Sequence, residues 1–215
     1  MRALPDIRGL KFPDEFVVRH AFKRGLMART GKVLELGCGV GNNLALYRAY
    51  GWDVTGIDFD PSALDDASWN LEGQATLIQA DLSDGLPPLD APFDALIIPN
   101  LLCYLTLAQA EQALAQSAAV LAPRAEVFVR TRLLDDYRYG RGRQTEPDGF
   151  VLETPETGEA GAFNHFYSAE GLVGLLDRTL HLTDVTQLAV RFDNIQAGQL
   201  VPNNSDLVVW GRAGA

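Results

Sequence analysis

Short apolar runs alternate with amphipathic stretches along this chain, a pattern in which strands and helices take turns and which predicts an α/β fold. Val33, Leu34 and Leu36 begin a buried strand that stops in Gly37, Gly39 and Gly41, and a helix then runs from Asn43 to Tyr50, ended by Gly51. A second strand over residues 52–57 ends on Asp58, a helix from Ser62 to about Leu71 follows the cap signal Asp60-Pro61-Ser62, and a third strand over 75–79 closes at Ala80-Asp81-Leu82. Residues 93–98 and 126–131 read as further strands, with a helix between them from the cap Thr106 to about Leu121. Ahead of this series, an irregular lead-in over 1–12 gives way at Pro13-Asp14-Glu15 to a helix reaching about Arg29, whose Phe16, Val17, His20, Phe22 and Leu26 would cover the sheet or form a lid. Residues 133–164 show little periodicity and read as a flap, too long to be an inert connection. Ser168 then caps a helix from Ala169 to about Arg178, and strand patterns at 180–190 and 207–210, joined by a polar stretch containing Asn203-Asn204, finish the chain.

The organisation expected is a helical lead-in or lid over 1–30 and one domain over 31–215, with the flap at about 133–165. A length of 215 residues, 47% hydrophobic and 21% charged, suits that reading. No apolar run approaches the ~20 residues that span a bilayer, and the first residues lack the apolar core of a signal peptide, so a cytoplasmic protein is expected. The formal charge of −10 argues against a nucleic-acid partner. One local basic cluster, Arg130, Arg132, Arg138, Arg141 and Arg143, reads as solvated loop charge. The two cysteines, Cys38 and Cys103, form no C-x-x-C pair, and no metal cluster is evident.

A strand that ends in a glycine turn and feeds a helix presents unpaired backbone N–H groups and the positive end of a helix dipole to a ligand. A dinucleotide fingerprint would place its third small residue where Asn42 stands; here the third glycine comes one residue early, and Glu35 precedes the first glycine by two. The run E-x-G-x-G-x-G resembles the first motif of the class I S-adenosylmethionine-dependent methyltransferases. Asp58 follows Gly37 by 21 residues, close to the ~20 at which an acid on the second strand meets ribose hydroxyls.

The resemblance implies a Rossmann-like three-layer sandwich with a seven-stranded, mostly parallel sheet whose last strand is antiparallel, S-adenosylmethionine as cofactor, and S-adenosylhomocysteine as product. It implies cofactor contacts from Glu35, Gly37, Gly39, Gly41, Asn42, Asp58 and Phe59. Asp81 would bond the adenine amino group, Leu82 would meet the ring through its backbone, and Asn100 would meet the methionine or the acceptor. The acceptor expected is a small molecule methylated on a hydroxyl or amine, served by a monomer or homodimer; Pro99-Asn100-Leu101-Leu102 does not match the N/D-P-P-Y signature of nucleobase methylation. His165 is the first candidate for a general base, with a structural role as its alternative. Tyr104, Tyr137, Tyr139 and His20 are candidates for the acceptor pocket, joined by Lys11 and Arg19 if the first helix is a lid. Two other readings remain at this point: a cofactor-binding subunit without transfer activity, and a nicotinamide-dependent oxidoreductase.

Overall fold

The computed structural model describes residues 3–196 and 198–214. Its main sheet has seven strands in the order β3 (Thr76–Gln79), β2 (Asp53–Asp58), β1 (Lys32–Leu36), β4 (Phe93–Pro99), β5 (Leu121–Arg132), β10 (Gln199–Arg212) and β9 (Thr183–Gln196). The first five run parallel, while β10, last in the chain, runs against both of its neighbours. Central strands of a parallel sheet are covered on both faces, and Val33 through Leu36 are accordingly all buried.

Helices α1 (Glu15–Lys23), α2 (Asn42–Ala49) and α3 (Pro61–Asn70) cover one face, packing Val17, Leu44, Tyr47 and Leu64 on Val33, Ala95 and Phe128. Helices α4 (Leu107–Ala118) and α5 (Ala169–Leu180) cover the other, with Leu114, Leu172 and Leu176 against Leu34, Leu96 and Val127. Local chemistry sets where they start. Asp14 accepts from the amides of Phe16 and Val17, Asp60 from Ser62, Ser168 from Gly171, and Thr106 and Gln109 form a reciprocal capping box.

Two sequence expectations need correction, and one alternative drops out. Of the cover and the lid, the first helix is the cover: α1 lies on the sheet, with His20 fully buried 5.5 Å from the Phe128 ring and 5.7 Å from Trp210. What crosses the glycine turn is the irregular lead-in, where Arg8 and Asn70 exchange hydrogen bonds and the Phe12 carbonyl accepts from Asn42.

The supposed flap is a second, three-stranded antiparallel sheet of β6 (Gly142–Glu146), β7 (Gly149–Leu152) and β8 (Phe163–His165). It has its own apolar patch of Phe150, Leu152 and Phe166. Its strands, of five, four and three residues, are too short to show a period of two.

The polar stretch at Asn203-Asn204 lies inside β10, where a bulge and the left-handed Asn203 (φ 58°) interrupt the ladder. Only Asp206–Arg212 of that strand reaches β5; the rest of the β9–β10 hairpin projects as a ribbon.

Candidate functional site

A cleft of about 740 Å³ opens where the order of the sheet reverses between β1 and β4, at the carboxyl ends of the strands. That is where open α/β sheets bind ligands, and the size suits a small-molecule site. Gly37, Asp58, Phe59, Asp81, Leu82 and Asn100 line one side, and Leu101, Tyr104, Leu105 and Phe163 the other.

The glycine turn is built against β2. The amides of Gly37 and Cys38 both donate to the Ile57 carbonyl, at 2.8 and 3.0 Å. Gly37 and Gly41 hold left-handed backbone, φ 71° and 76°, and a side chain would meet Leu101 at the first and Leu71 at the second, at 3.1 and 3.0 Å. Glycine is therefore required at both on two counts.

Asp58 is not the free acid that the separate cap at Asp60 suggested. Its Oδ2 accepts from the Gly39 amide at 2.8 Å and its Oδ1 from the Asp60 amide at 3.0 Å. A carboxylate offers about four lone-pair sites, so two remain for a ligand diol, now on an acid locked in place. Asp81 likewise accepts from the Ser83 amide at 2.9 Å, and the Ser83 hydroxyl and amide hold its carboxyl below the usual range. Asn100 takes the left-handed conformation that asparagine tolerates (φ 58°), with its amide donating to the Arg130 carbonyl at 2.8 Å.

Glu35 lies behind the turn, buried, with its Oε1 accepting from Asn43 Nδ2 at 2.7 Å. Burial raises its carboxyl to about 8, reinforced by the charges of Asp58 and Asp14 and opposed by the bonds from Asn43 and the Leu44 amide. The folded state thus holds a proton that the unfolded chain releases near 4.5, so stability is full below that pH and declines as pH rises toward 8. Glu35→Gln should remove this decline. In the ligand-free protein, its Tm advantage over wild type should grow from pH 5 to pH 8; a constant difference would show that Glu35 does not titrate in that window.

Other sequence candidates fall elsewhere. Asn42 turns its side chain to the lead-in, and Asn43, which sequence reasoning passed over, is the residue that ties the Asp14 amide (2.8 Å) to Glu35. Tyr104 lines the cleft, but Tyr137 sits under the guanidinium of Arg138 and Tyr139 packs on Phe150 and Phe166 with its hydroxyl on Asp148. Neither belongs to the cleft wall, nor does the buried His20.

His165 is not among the residues lining the cleft: its Nδ1 lies 2.8 Å from Glu146 Oε1, which accepts in addition from the Leu107 amide at 3.1 Å. This joins the small sheet to the start of α4, in keeping with the structural alternative to a general base.

Three arginines read as solvated loop charges are ion-pair centres instead, Arg132 buried and Arg130 and Arg138 mostly covered, the last on Asp136. Arg130 bonds Asp14 Oδ2 and Asp206 Oδ2, both at 2.6 Å; Arg132 grips both oxygens of Glu159, also at 2.6 Å. The signal was available, because the predicted strand ran to Thr131 and a strand inside a covered sheet has no solvated position for Arg130. Among the described residues no His, Cys and carboxylate group could hold a metal ion, and no helix is long and apolar enough to cross a membrane.

Fold and cleft together define an α/β protein of the Rossmann-like kind, with a small-molecule cleft at the carboxyl ends of its strands. Residues 33–124 match a family described as a methyltransferase domain. No curated protein sequence matches the chain. Among solved structures it is similar to an S-adenosylmethionine-dependent methyltransferase of Methanosarcina mazei (TM-score 0.67, 19% identity, covering 86% of this chain and 94% of that one). It is similar also to the N-methyltransferase NodS of Bradyrhizobium japonicum in complex with S-adenosylhomocysteine (0.60, 18%, 92% and 87%). A third is the 1,6-didemethyltoxoflavin N1-methyltransferase of Burkholderia thailandensis (0.63, 18%, 94% and 80%). At such identities the structures speak for the fold alone. The family match makes residues 33–124 similar to a methyltransferase domain, which favours methyl transfer over the oxidoreductase reading.

Proposed function

We propose that this enzyme transfers the methyl group of S-adenosylmethionine to a hydroxyl or amine of a small-molecule acceptor. The donor supplies a methyl group already activated on a sulfonium centre. The chain's own work is to hold, align and keep dry. Asp58, fixed by two backbone amides, takes the ribose hydroxyls on its remaining lone pairs. Asp81 and the Leu82 amide serve the adenine edge, with Phe59 and Leu101 on its faces, and the glycine turn, backed by the buried Glu35, and Asn100 serve the methionine end. The observation that carries this reading is the meeting of Asp58 and Asp81 with an apolar wall in one cleft.

Leu105, Tyr104 and Phe163 line the acceptor side and exclude water. Alignment of a nucleophile behind the methyl group is worth roughly 7–11 kcal/mol in favourable cases, so a dedicated base is not required. Two of the structurally similar enzymes are N-methyltransferases by name, one acting on a small heterocycle, which supports a small acceptor. The test is calorimetry with S-adenosylhomocysteine and with NAD, followed by labelled donor with a broad acceptor panel. We expect the nucleoside product to bind, NAD not to bind, and a labelled small product to form. Binding without any labelled product would support a non-catalytic subunit, and NAD binding in its place would overturn the assignment.

A further inference from the structure

We propose that Arg132 is the anchor for a carboxylate on the methyl acceptor, and that Glu159 holds that place in its absence. The inference rests on the proposed methyl transfer and adds the chemical class of the acceptor. Arg132 is the last residue of β5 and nearly buried. Its Nη1 and Nη2 each donate to one oxygen of Glu159 at 2.6 Å, Nη1 donates also to Asn164 Oδ1, and Nη2 reaches the Tyr104 hydroxyl at 3.3 Å. Tyr104 is part of the cleft wall, and the guanidinium carbon lies 5.4 Å from its ring centre. The fork therefore stands directly behind the acceptor side of the cleft.

What distinguishes this pair from other buried pairs is where its acid comes from. The partners of Arg130 are a helix cap and a sheet strand, Asp14 and Asp206, which cannot leave without unmaking the fold. Glu159 belongs to the connection between β7 and β8, between Gly158 and Gly161, both left-handed and both open to space on the Cβ side. Ala162 of the same segment and Phe163, the first residue of β8, form cleft wall. Movement of this wall to admit an acceptor would carry Glu159 with it.

Charge balance then selects what replaces it. Around the fork, Arg132 and Arg138 face Glu159 and Asp136, two positive against two negative groups. Loss of Glu159 leaves one positive charge in a poorly hydrated place, and a carboxylate restores neutrality with the same two parallel hydrogen bonds. Leu101, Leu105 and Phe163 of the cleft wall call for an apolar body on that carboxylate.

The experiment uses the full chain saturated with S-adenosylhomocysteine, titrated with benzoate and with benzamide. Benzoate should bind wild type better than benzamide does. Glu159→Gln, which keeps the shape but not the charge, should raise benzoate affinity about tenfold or more and leave benzamide unchanged. Arg132→Gln should abolish the preference; a preference that survives it would assign the anion to another cation and overturn the proposal. Equal binding of the two probes, or a benzoate affinity that Glu159→Gln does not move, would overturn it as well. Failure to bind S-adenosylhomocysteine in the preceding titration would instead sink the methyltransferase site assignment, so the two failures are distinct.

Discussion

Asp58→Ala should weaken binding of S-adenosylhomocysteine by two to three orders of magnitude. On the proposed reading the substitution removes two charge-assisted hydrogen bonds to the ribose, each worth about 1.5–3 kcal/mol, and every ~1.4 kcal/mol is tenfold in affinity. It also frees the amides of Gly39 and Asp60, which now donate to the carboxylate at 2.8 and 3.0 Å, so the turn loses the bond that sets its shape. Asp58→Asn separates the two contributions. An asparagine oxygen can still accept from one amide but cannot serve both the turn and a diol, and an intermediate loss is expected. Calorimetry on folded protein, with the melting curve recorded alongside, reads the effect. A loss under threefold for Asp58→Ala would mean that the ribose lies elsewhere.

Arg130→Ala should be the most destabilising single change near the site. The guanidinium is 14% exposed and joins three elements, the N-cap of α1 through Asp14, β5 itself, and β10 through Asp206. Its removal leaves two carboxylates with no cation in a poorly solvated place, a situation that costs about 3–5 kcal/mol. For a domain of this size that corresponds to a fall in Tm of roughly 6–20 °C. The damage should reach the glycine turn as well, because the Asp14 amide donates to Asn43, and Asn43 donates to Glu35. Arg130→Lys keeps the charge but not the fork, and should fall between wild type and the alanine variant. Thermal melts check both; a fall below 2 °C for Arg130→Ala would mean that solvent screens the pairs.

Much of the fold was legible because it is written locally. Runs such as Val33–Leu36 and Phe93–Ile98 are apolar on both faces, the mark of strands covered on both sides, and Asp14, Asp60, Thr106 and Ser168 announce their helices through bonds made within three residues. The side of the cleft proposed for the donor was legible for a related reason. A parallel sheet delivers successive strand ends to one edge, so Gly37, Asp58, Asp81 and Asn100 had to meet once their strands were recognised.

The other side was not legible. Tyr104 lines the cleft, whereas Tyr137, Tyr139, His165 and His20, chosen for their chemistry, are each taken up by packing or a hydrogen bond outside its lining. Nothing local to Arg132 says that Glu159, 27 residues later, will lie 2.6 Å from it.

By itself, then, the sequence determined the succession of the first strands and helices along the chain and the glycine turn, because periodicity, capping and left-handed backbone act over a few residues; the class of donor came from the resemblance of that turn's motif to a family. Tertiary structure alone decided that α1 is a cover and not a lid, that the aperiodic stretch is a second sheet, and which arginines are buried and with whom. Those outcomes depend on contacts between elements far apart in the chain, where burial and charge pairing are properties of the assembled fold and not of any segment.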